Sequence, residues 1–237
     1  MTLRLRDAGD CALVAEYGDR IDDVLADRVL ALDAALAAHP VAGVLETVPT
    51  YRSLLVHYDP LTITRSALAA LVQNLAGQPV TVRPGATWTL PACYDASLAT
   101  DLALVADACR LTPDAVVRLH ATATYRVVMC GFSPGWAYLS GLPPALTLPR
   151  RASPRDLIPA GSLIIAGGQA IVAAGAMPSG WHILGQTPER LFAPQREPVF
   201  LLAPGDMVRL EQVDSATFAA LSLRARTGEV LARKAPP

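Results

Sequence analysis

The residues that could do chemistry in this chain of 237 residues fall mostly in its second half. The segment GFSPGWAYLSGL, residues 131–142, holds Phe132, Trp136 and Tyr138 among glycines and a proline, which make the loop stiff. Aromatic residues are only 5% of the chain, so their crowding here favours the wall of a ligand pocket. The alternative is an aromatic-anchored corner of a β-barrel.

Polar groups suited to binding follow this segment. The stretch LPRRASPR contains Arg150, Arg151 and Arg155, and a guanidinium fork matches a carboxylate or a phosphate; the alternative is a solvated basic loop. Gln169 comes after two glycines and either offers its amide to a ligand carbonyl or simply ends a strand.

Two histidines complete the candidates. His120 ends a helical pattern, where it either transfers protons near neutral pH or interacts with the negative end of the helix. In MPSGWHILGQTP, Trp181 is expected to be buried and His182 to alternate with it toward the surface. The chain lacks the GxSxG, P-loop, GxGxxG and HExxH patterns. These residues therefore indicate a binding module or an active site shared with a partner.

Composition narrows the class of protein. The chain is 52% hydrophobic and 17% charged with a net charge of -1, which predicts a folded protein that does not bind nucleic acid. Its apolar runs are too short to span a membrane, and the first residues do not read as a secretory signal, so we expect a cytoplasmic location. The four cysteines are scattered, which argues against a zinc site and a disulfide framework.

The first third reads as alternating strands and helices. Strands are predicted in CALVAEYG, VAGVLETV, SLLVHY and PVTVR, the middle two forming a hairpin. Thr64 or Ser66 caps a second helix, and Gly77 ends it. The residues expected on the buried face of the first helix are Ile21, Leu25, Val29, Leu32 and Leu36. This order predicts a small ferredoxin-like α/β domain over residues 1–86, with a split βαβ arrangement.

Residues 87–237 have a different character. Two helical patterns come first, and the second begins with Thr112 as N-cap and Pro113 at the first helical position. After His120 helical signals nearly vanish, and short apolar runs such as TYRVVMC and SLIIAG alternate with turns. We therefore predict an α+β protein whose second domain is a β-barrel with one or two helices.

These segments together resemble a known family. The stretch from His120 to Tyr125 and the strings GFSPGWAYLSGL, LPRRASPR, IPAGSLIIAGGQ and PSGWHILGQTP are similar, in matching order, to the B subunits of 5-oxoprolinases. That family includes allophanate hydrolase subunit 1, the sporulation kinase inhibitor KipI and the matching half of the urea carboxylase carboxyltransferase domain. GDCALVAEYGD and VLETVPTYRSLLVHYDP extend the resemblance to nearly the whole chain.

The resemblance implies a cyclophilin-like barrel and a role in the ATP-dependent opening of 5-oxoproline to L-glutamate, together with subunits C and A. ATP and magnesium would act through that complex, with no metal or organic cofactor bound in this chain. His120, Arg150 and Gln169 are then the catalytic candidates. The residues implied to bind substrate are Tyr125, Phe132, Trp136, Tyr138 and Arg155.

The chain departs from the family pattern at several positions. This chain has PSGW where the family has PGGW, GQT where it has GRT, and QAIVAA where it has QTGIYP. Gln186 therefore replaces an arginine, and Ala173 replaces a tyrosine. Other hypotheses therefore stay open: a regulator that inhibits a histidine kinase, or a component of an enzyme acting on allophanate or a urea-like substrate. A prolyl isomerase, suggested by fold analogy alone, is the weakest.

Overall fold

The computed structural model describes residues 3–79 and 85–236, and the chain divides into two compact units, Met1–Pro84 and Gly85–Pro237. The strands are β1 Arg4–Asp7, β2 Ala12–Glu16, β3 Val44–Pro49, β4 Ser53–Tyr58, β5 Thr87–Ala92, β6 Thr124–Cys130, β7 Ala137–Ser140, β8 Arg155–Ile158, β9 Ser162–Ala166, β10 Gln169–Val172, β11 Met177–Ser179, β12 His182–Gln186, β13 Met207–Gln212 and β14 Arg233–Lys234. The helices are α1 Asp23–Ala38, α2 Arg65–Ala76, α3 Leu102–Ala108, α4 Pro113–Thr122 and α5 Ser215–Arg226. Within the described ranges, none of these helices is long and apolar enough to cross a membrane.

The first unit is an antiparallel sheet in the order β1-β2-β4-β3 with helices α1 and α2. Strand β4 lies between β2 and β3 and runs opposite to both, which is the predicted split βαβ arrangement. Both ends of α2 are as predicted: the Thr64 hydroxyl accepts a hydrogen bond from the Ala67 N–H, and the helix ends at Gly77. The predicted face of α1 is buried except for Ile21, which precedes the helix and is 55% exposed.

The edge of this sheet was not predicted. Strand β1 is a short, mostly exposed segment, RLRD, so it carries no alternating apolar pattern to identify it. It pairs with β2 and occupies the edge beside it. The predicted strand PVTVR lies almost wholly in residues 80–84, outside the described residues.

The second unit is built on one sheet with the strand order β12-β9-β10-β7-β6-β13-β5-β14, in which only β13 and β5 pair in parallel. Beyond the end of β5, Cys93 exchanges two backbone hydrogen bonds with Gln186 of β12, at 2.8 and 2.9 Å. These bonds join the two sides of the sheet, so the strands enclose a barrel. Its interior holds a core that includes Leu90, Tyr125 and Ile165.

A second core lies on the other face of the same strands. Side chains alternate across a strand, so Ile164 and Ile171 point away from the barrel interior. The antiparallel pair β8 and β11 supplies Ile158 and Met177 to this outer core, and Trp136 and Trp181 belong to it as well. The outer face of β9 and β10 is therefore as well covered as the inner face.

The helix content of the second unit differs from the prediction. Helix α4 begins as expected, with Thr112 accepting the Ala115 N–H and Pro113 in its first turn. Helix α5 was missed, so the described part of this unit has three α-helices where one or two were predicted. Only Ala225 of α5 is buried, which leaves no apolar stripe for a periodicity argument to detect. The likeness of this barrel to cyclophilins stays a prediction.

Candidate functional site

His120 and Tyr125 lie in the barrel core. The His120 ring is 2% exposed, its Nδ1 is 2.8 Å from the Tyr94 hydroxyl, and the Tyr125 hydroxyl donates to the His120 carbonyl at 2.8 Å. Burial lowers the pKa of His120 to about 3 and raises the pKa of Tyr125. Both side chains are therefore neutral at physiological pH. The contacts of His120 are those of a buried residue that stabilises the core, and its catalytic role stays a prediction.

Arg155 is held by a carboxylate of the same chain. Its two terminal nitrogens contact the Asp101 oxygens at 2.8 and 2.6 Å, and Arg151 contacts Oδ1 at 2.8 Å. The Ile183 N–H also donates to Asp101, at 2.8 Å. In this conformation the guanidinium of Arg155 is paired within the chain, whereas the sequence interpretation had it face a substrate.

Asp101 is the residue that organises this basic loop, and sequence reasoning missed it. Burial by itself raises the pKa of Asp101, but the Arg155 and Ile183 hydrogen bonds and the two arginine charges outweigh burial and leave the pKa lowered. The one signal for Asp101 in the sequence is its place just before helix α3.

Arg150 is placed differently from its two neighbours. Its guanidinium carbon lies 5.7 Å from the centre of the Trp181 ring, in a cation–π contact. Among the residues that the structure describes, no carboxylate pairs with it. Arg150 therefore keeps a positive charge that a ligand can use.

The aromatic segment lies on the outer face of the barrel. Trp136 packs edge-to-face against both Phe132 and Tyr138, with ring centres 5.5 and 6.5 Å apart. Phe132 is 77% exposed and has a positive φ of 75°, which is strained for a residue other than glycine. The segment thus combines an anchored ring, Trp136, which is buried in the outer core, with a ring held out in solvent, Phe132.

A row of hydrogen-bond donors lies beside these rings. Ala170 pairs with Leu139, which places Gln169 next to Ser140 on the same face as Tyr138. The buried atoms Trp136 Nε1, Ser140 Oγ and Gln169 Nε2 have no hydrogen-bond partner within residues 3–79 and 85–236. We call Phe132, Trp136, Tyr138, Ser140 and Gln169 the outer-face cluster. Its three unpaired groups suit the oxygen atoms of a carbonyl or a carboxylate.

The predicted site residues thus fall into separate groups. Phe132, Trp136, Tyr138 and Gln169 come together, whereas His120 and Tyr125 are inside the barrel and Arg155 is bound to Asp101. Ser140 was missed because a lone serine at the end of a short strand gives no sequence signal.

Two further expectations can be compared with the structure. His182 is only 5% exposed, so the predicted surface position is wrong; its ring is covered by the loop that contains Pro149. No group of three or more His, Cys, Asp or Glu side chains is arranged to hold a metal ion in the part of the chain that is described.

Comparison with known proteins places these features in a family. A family model described as the carboxyltransferase domain, subdomain C and D, matches residues 3–202. The chain is 32% identical to the 5-oxoprolinase B subunit of Bacillus subtilis (strain 168), over 92% of this chain and 97% of that protein. It is 36% identical to the 5-oxoprolinase B subunit of Escherichia coli O157:H7, over 85% of this chain and 92% of that protein.

A solved structure shares the fold at lower identity. The urea carboxylase of Kluyveromyces lactis matches with a TM-score of 0.80, over 98% of this chain and 24% of that chain, at 19% identity. This likeness shows the fold alone.

Proposed function

The chain belongs to the family of 5-oxoprolinase B subunits, which are carboxyltransferase-type domains, and from this premise we propose that it is the B subunit of an ATP-dependent 5-oxoprolinase. It acts in the cytoplasm with subunits C and A, and the complex converts 5-oxoproline to L-glutamate. The ATP and magnesium chemistry belongs to the complex. This chain contributes binding and orientation of the lactam.

The observation that carries this proposal is the group of unpaired donors in the outer-face cluster. Three buried polar atoms on one face have no acceptor in the described chain, and leaving such groups unpaired costs about 1–3 kcal/mol each. 5-Oxoproline carries a lactam carbonyl and a carboxylate, whose oxygen atoms are acceptors. A bound lactam therefore supplies what these donors lack.

The roles follow from the positions of the groups. Gln169 and Ser140 donate to the lactam carbonyl, which draws electron density from the carbonyl carbon and makes it more open to attack. Trp136 donates to the carboxylate, and the rings of Trp136 and Tyr138 enclose the five-membered ring. Because the donors are covered in the free chain, the ligand reaches them when a covering side chain moves. Phe132, which packs edge-to-face on Trp136, borders this site.

The test is reconstitution. The chain is purified with subunits C and A, and glutamate release from 5-oxoproline is measured with and without ATP. We expect ATP-dependent release from the three-subunit mixture and none from the chain alone. No release from a stable, folded complex rejects the proposal, and release from allophanate or a urea-like compound would assign the alternative substrate class.

The site is tested within the same assay. Gln169→Ala should lower kcat by about 10-fold or more, since one polarising donor is lost. Gln73→Ala, a matched change on an exposed position of α2, should leave kcat unchanged. Equal activity of the two variants would show that the outer-face cluster is not part of the active site.

The exposed ring also favours a second candidate function. A strained, solvent-facing Phe132 fits a contact surface for another protein, as expected for a kinase-inhibiting regulator. Binding to a histidine kinase dimerisation domain at micromolar concentration, lost in Phe132→Ala, would support this function. The absence of binding to any such domain would reject it.

A further inference from the structure

A cavity lies beside helix α3. Its volume is about 520 Å³, and its apolar lining comes from Leu104 and Ala108 of α3 and from Leu148 and Pro149 of the loop between β7 and β8. Arg150 and His182 supply the polar groups that matter for binding. None of the residues proposed to contact the lactam lines this cavity.

His182 lines this cavity, and its ring carries an unpaired nitrogen that is covered in the free chain. Its Nε2 is 3.0 Å from the carbonyl oxygen of Pro149, which can only accept, so Nε2 carries the hydrogen and donates it. In the neutral ring Nδ1 is then an acceptor. This Nδ1 is buried and has no partner among the described residues, although the side chain is 95% enclosed. A ligand N–H or O–H would complete the hydrogen bonding of the ring once the loop that contains Pro149 shifts to uncover Nδ1.

Arg150 provides the charge. The only other charged residue that lines the cavity is Arg151, whose guanidinium is paired with Asp101. Arg150 rests on the Trp181 ring and has no carboxylate partner in the described chain. The cavity therefore combines one uncompensated positive charge, an apolar wall and, beneath its surface, one unpaired ring nitrogen.

We propose that this cavity is a second ligand site, which binds a small N-acyl amino acid with an apolar side chain. The ligand carboxylate pairs with the guanidinium of Arg150, and its amide N–H donates to Nδ1 of His182. The apolar side chain lies against Leu104, Ala108 and Leu148. The site does not depend on the proposed oxoprolinase activity, because every contact comes from this chain.

The test is a calorimetric titration of the isolated full chain with N-acetyl-L-leucine, which measures the binding affinity. Arg150→Gln should weaken binding by about 10-fold or more, since a charge-assisted contact is lost. His182→Gln should weaken it by about 5-fold, because the glutamine nitrogen can still donate to Pro149 while the Nδ1 acceptor is gone. Arg118→Gln, the same loss of charge at an exposed position of α4, should leave the affinity unchanged.

Two controls make the test decisive. N-acetyl-L-leucine methyl ester lacks the carboxylate and should not bind. In the unmodified chain, which has four histidines, ligand addition should shift the Nδ1 resonance of His182 in a nitrogen-15 NMR spectrum. The proposal is overturned if the acid does not bind at millimolar concentration, if the ester binds equally well, or if the His182 resonance stays unchanged at saturation.

Discussion

At the scale of single residues, His120 and Asp101 are both almost fully buried, but His120 is uncharged whereas Asp101 is ionised. His120 has only neutral neighbours in its hydrogen bonds, so burial keeps it uncharged. Asp101 is surrounded by two guanidinium groups and a backbone N–H, so it stays ionised. Burial alone does not decide the state of an ionisable group; its hydrogen-bond partners do.

A pH dependence follows from the neutral histidine. The unfolded chain takes up a proton near pH 6.5, whereas the folded chain does so only near pH 3. Stability contributed by the neutral ring is therefore lost as the pH falls from 6.5 toward 3, by about 1.4 kcal/mol per pH unit. The measurement is the free energy of unfolding by urea between pH 4 and 7.

The matched variants isolate this contribution. His120→Asn keeps an amide near the Nδ1 position and should show a flatter pH dependence than the original chain, although it is less stable at pH 7. His39→Asn removes an exposed histidine at the end of α1 and should leave the slope unchanged. The same slope in His120→Asn and in the original chain would mean that His120 does not titrate as described.

Removal of the Asp101 charge should loosen the basic loop. Asp101→Asn leaves Arg151 and Arg155 without a counter-charge, and we expect a loss of about 2 kcal/mol in the free energy of unfolding. The loss stays moderate because the arginine side chains are 23% and 26% exposed, so water replaces part of the lost interaction.

Urea denaturation checks this expectation. Asp107→Asn, an exposed position on the same helix α3, should change stability by less than about 0.5 kcal/mol. Faster hydrogen exchange in residues 150–158 of Asp101→Asn would locate the change. A stability equal to that of the control would show that the Asp101 cluster contributes little.

At the scale of elements, barrel closure depends on a close approach of two backbones. A Cβ atom added to Gly185 would lie 2.5 Å from the carbonyl oxygen of Cys93, next to the Cys93–Gln186 hydrogen bonds. Strand β12 also has an irregular register between Ile183 and Gly185. A bulge and a glycine together bring β12 against the end of β5.

Gly185→Ala should therefore separate the two sides of the sheet. We expect a loss of about 2 kcal/mol in unfolding free energy, since a backbone atom cannot move aside cheaply. Gly175→Ala is the matched control, because an added Cβ there meets no atom within 4 Å. Thermal and urea unfolding of both variants give the comparison, and equal midpoints would contradict the role assigned to Gly185.

At the scale of the whole molecule, each unit has its own hydrophobic core. The core of the first unit draws on residues up to 76, and the two cores of the second unit draw only on residues from 88 onward. A unit with its own core can fold alone. We therefore expect a fragment of residues 85–237 to fold independently.

The fragment gives a direct test of this division. It should unfold cooperatively in urea, and Gly185→Ala should lower its stability by the same amount as in the full chain. A fragment with helical and strand content but no cooperative transition would mean that its packing depends on the first unit.

The sequence by itself determined the features that depend on local chemistry. The caps at Thr64 and Thr112 and the end of α2 at Gly77 follow from hydrogen bonding by nearby residues. The buried face of α1 follows from apolar spacing. The family also followed from the sequence, because its signature is an ordered set of short segments along the chain.

Only the tertiary structure decided which candidate residues meet. Arg150 and Arg155 are five positions apart, yet one lies over Trp181 and the other is bound to Asp101. The pairing of Ser140 with Gln169, the enclosure of His182 and the closure at Gly185 depend on strand register between distant segments. The register between such strands is set by the packing of the whole sheet on both faces, so it cannot be predicted from a local pattern of residues.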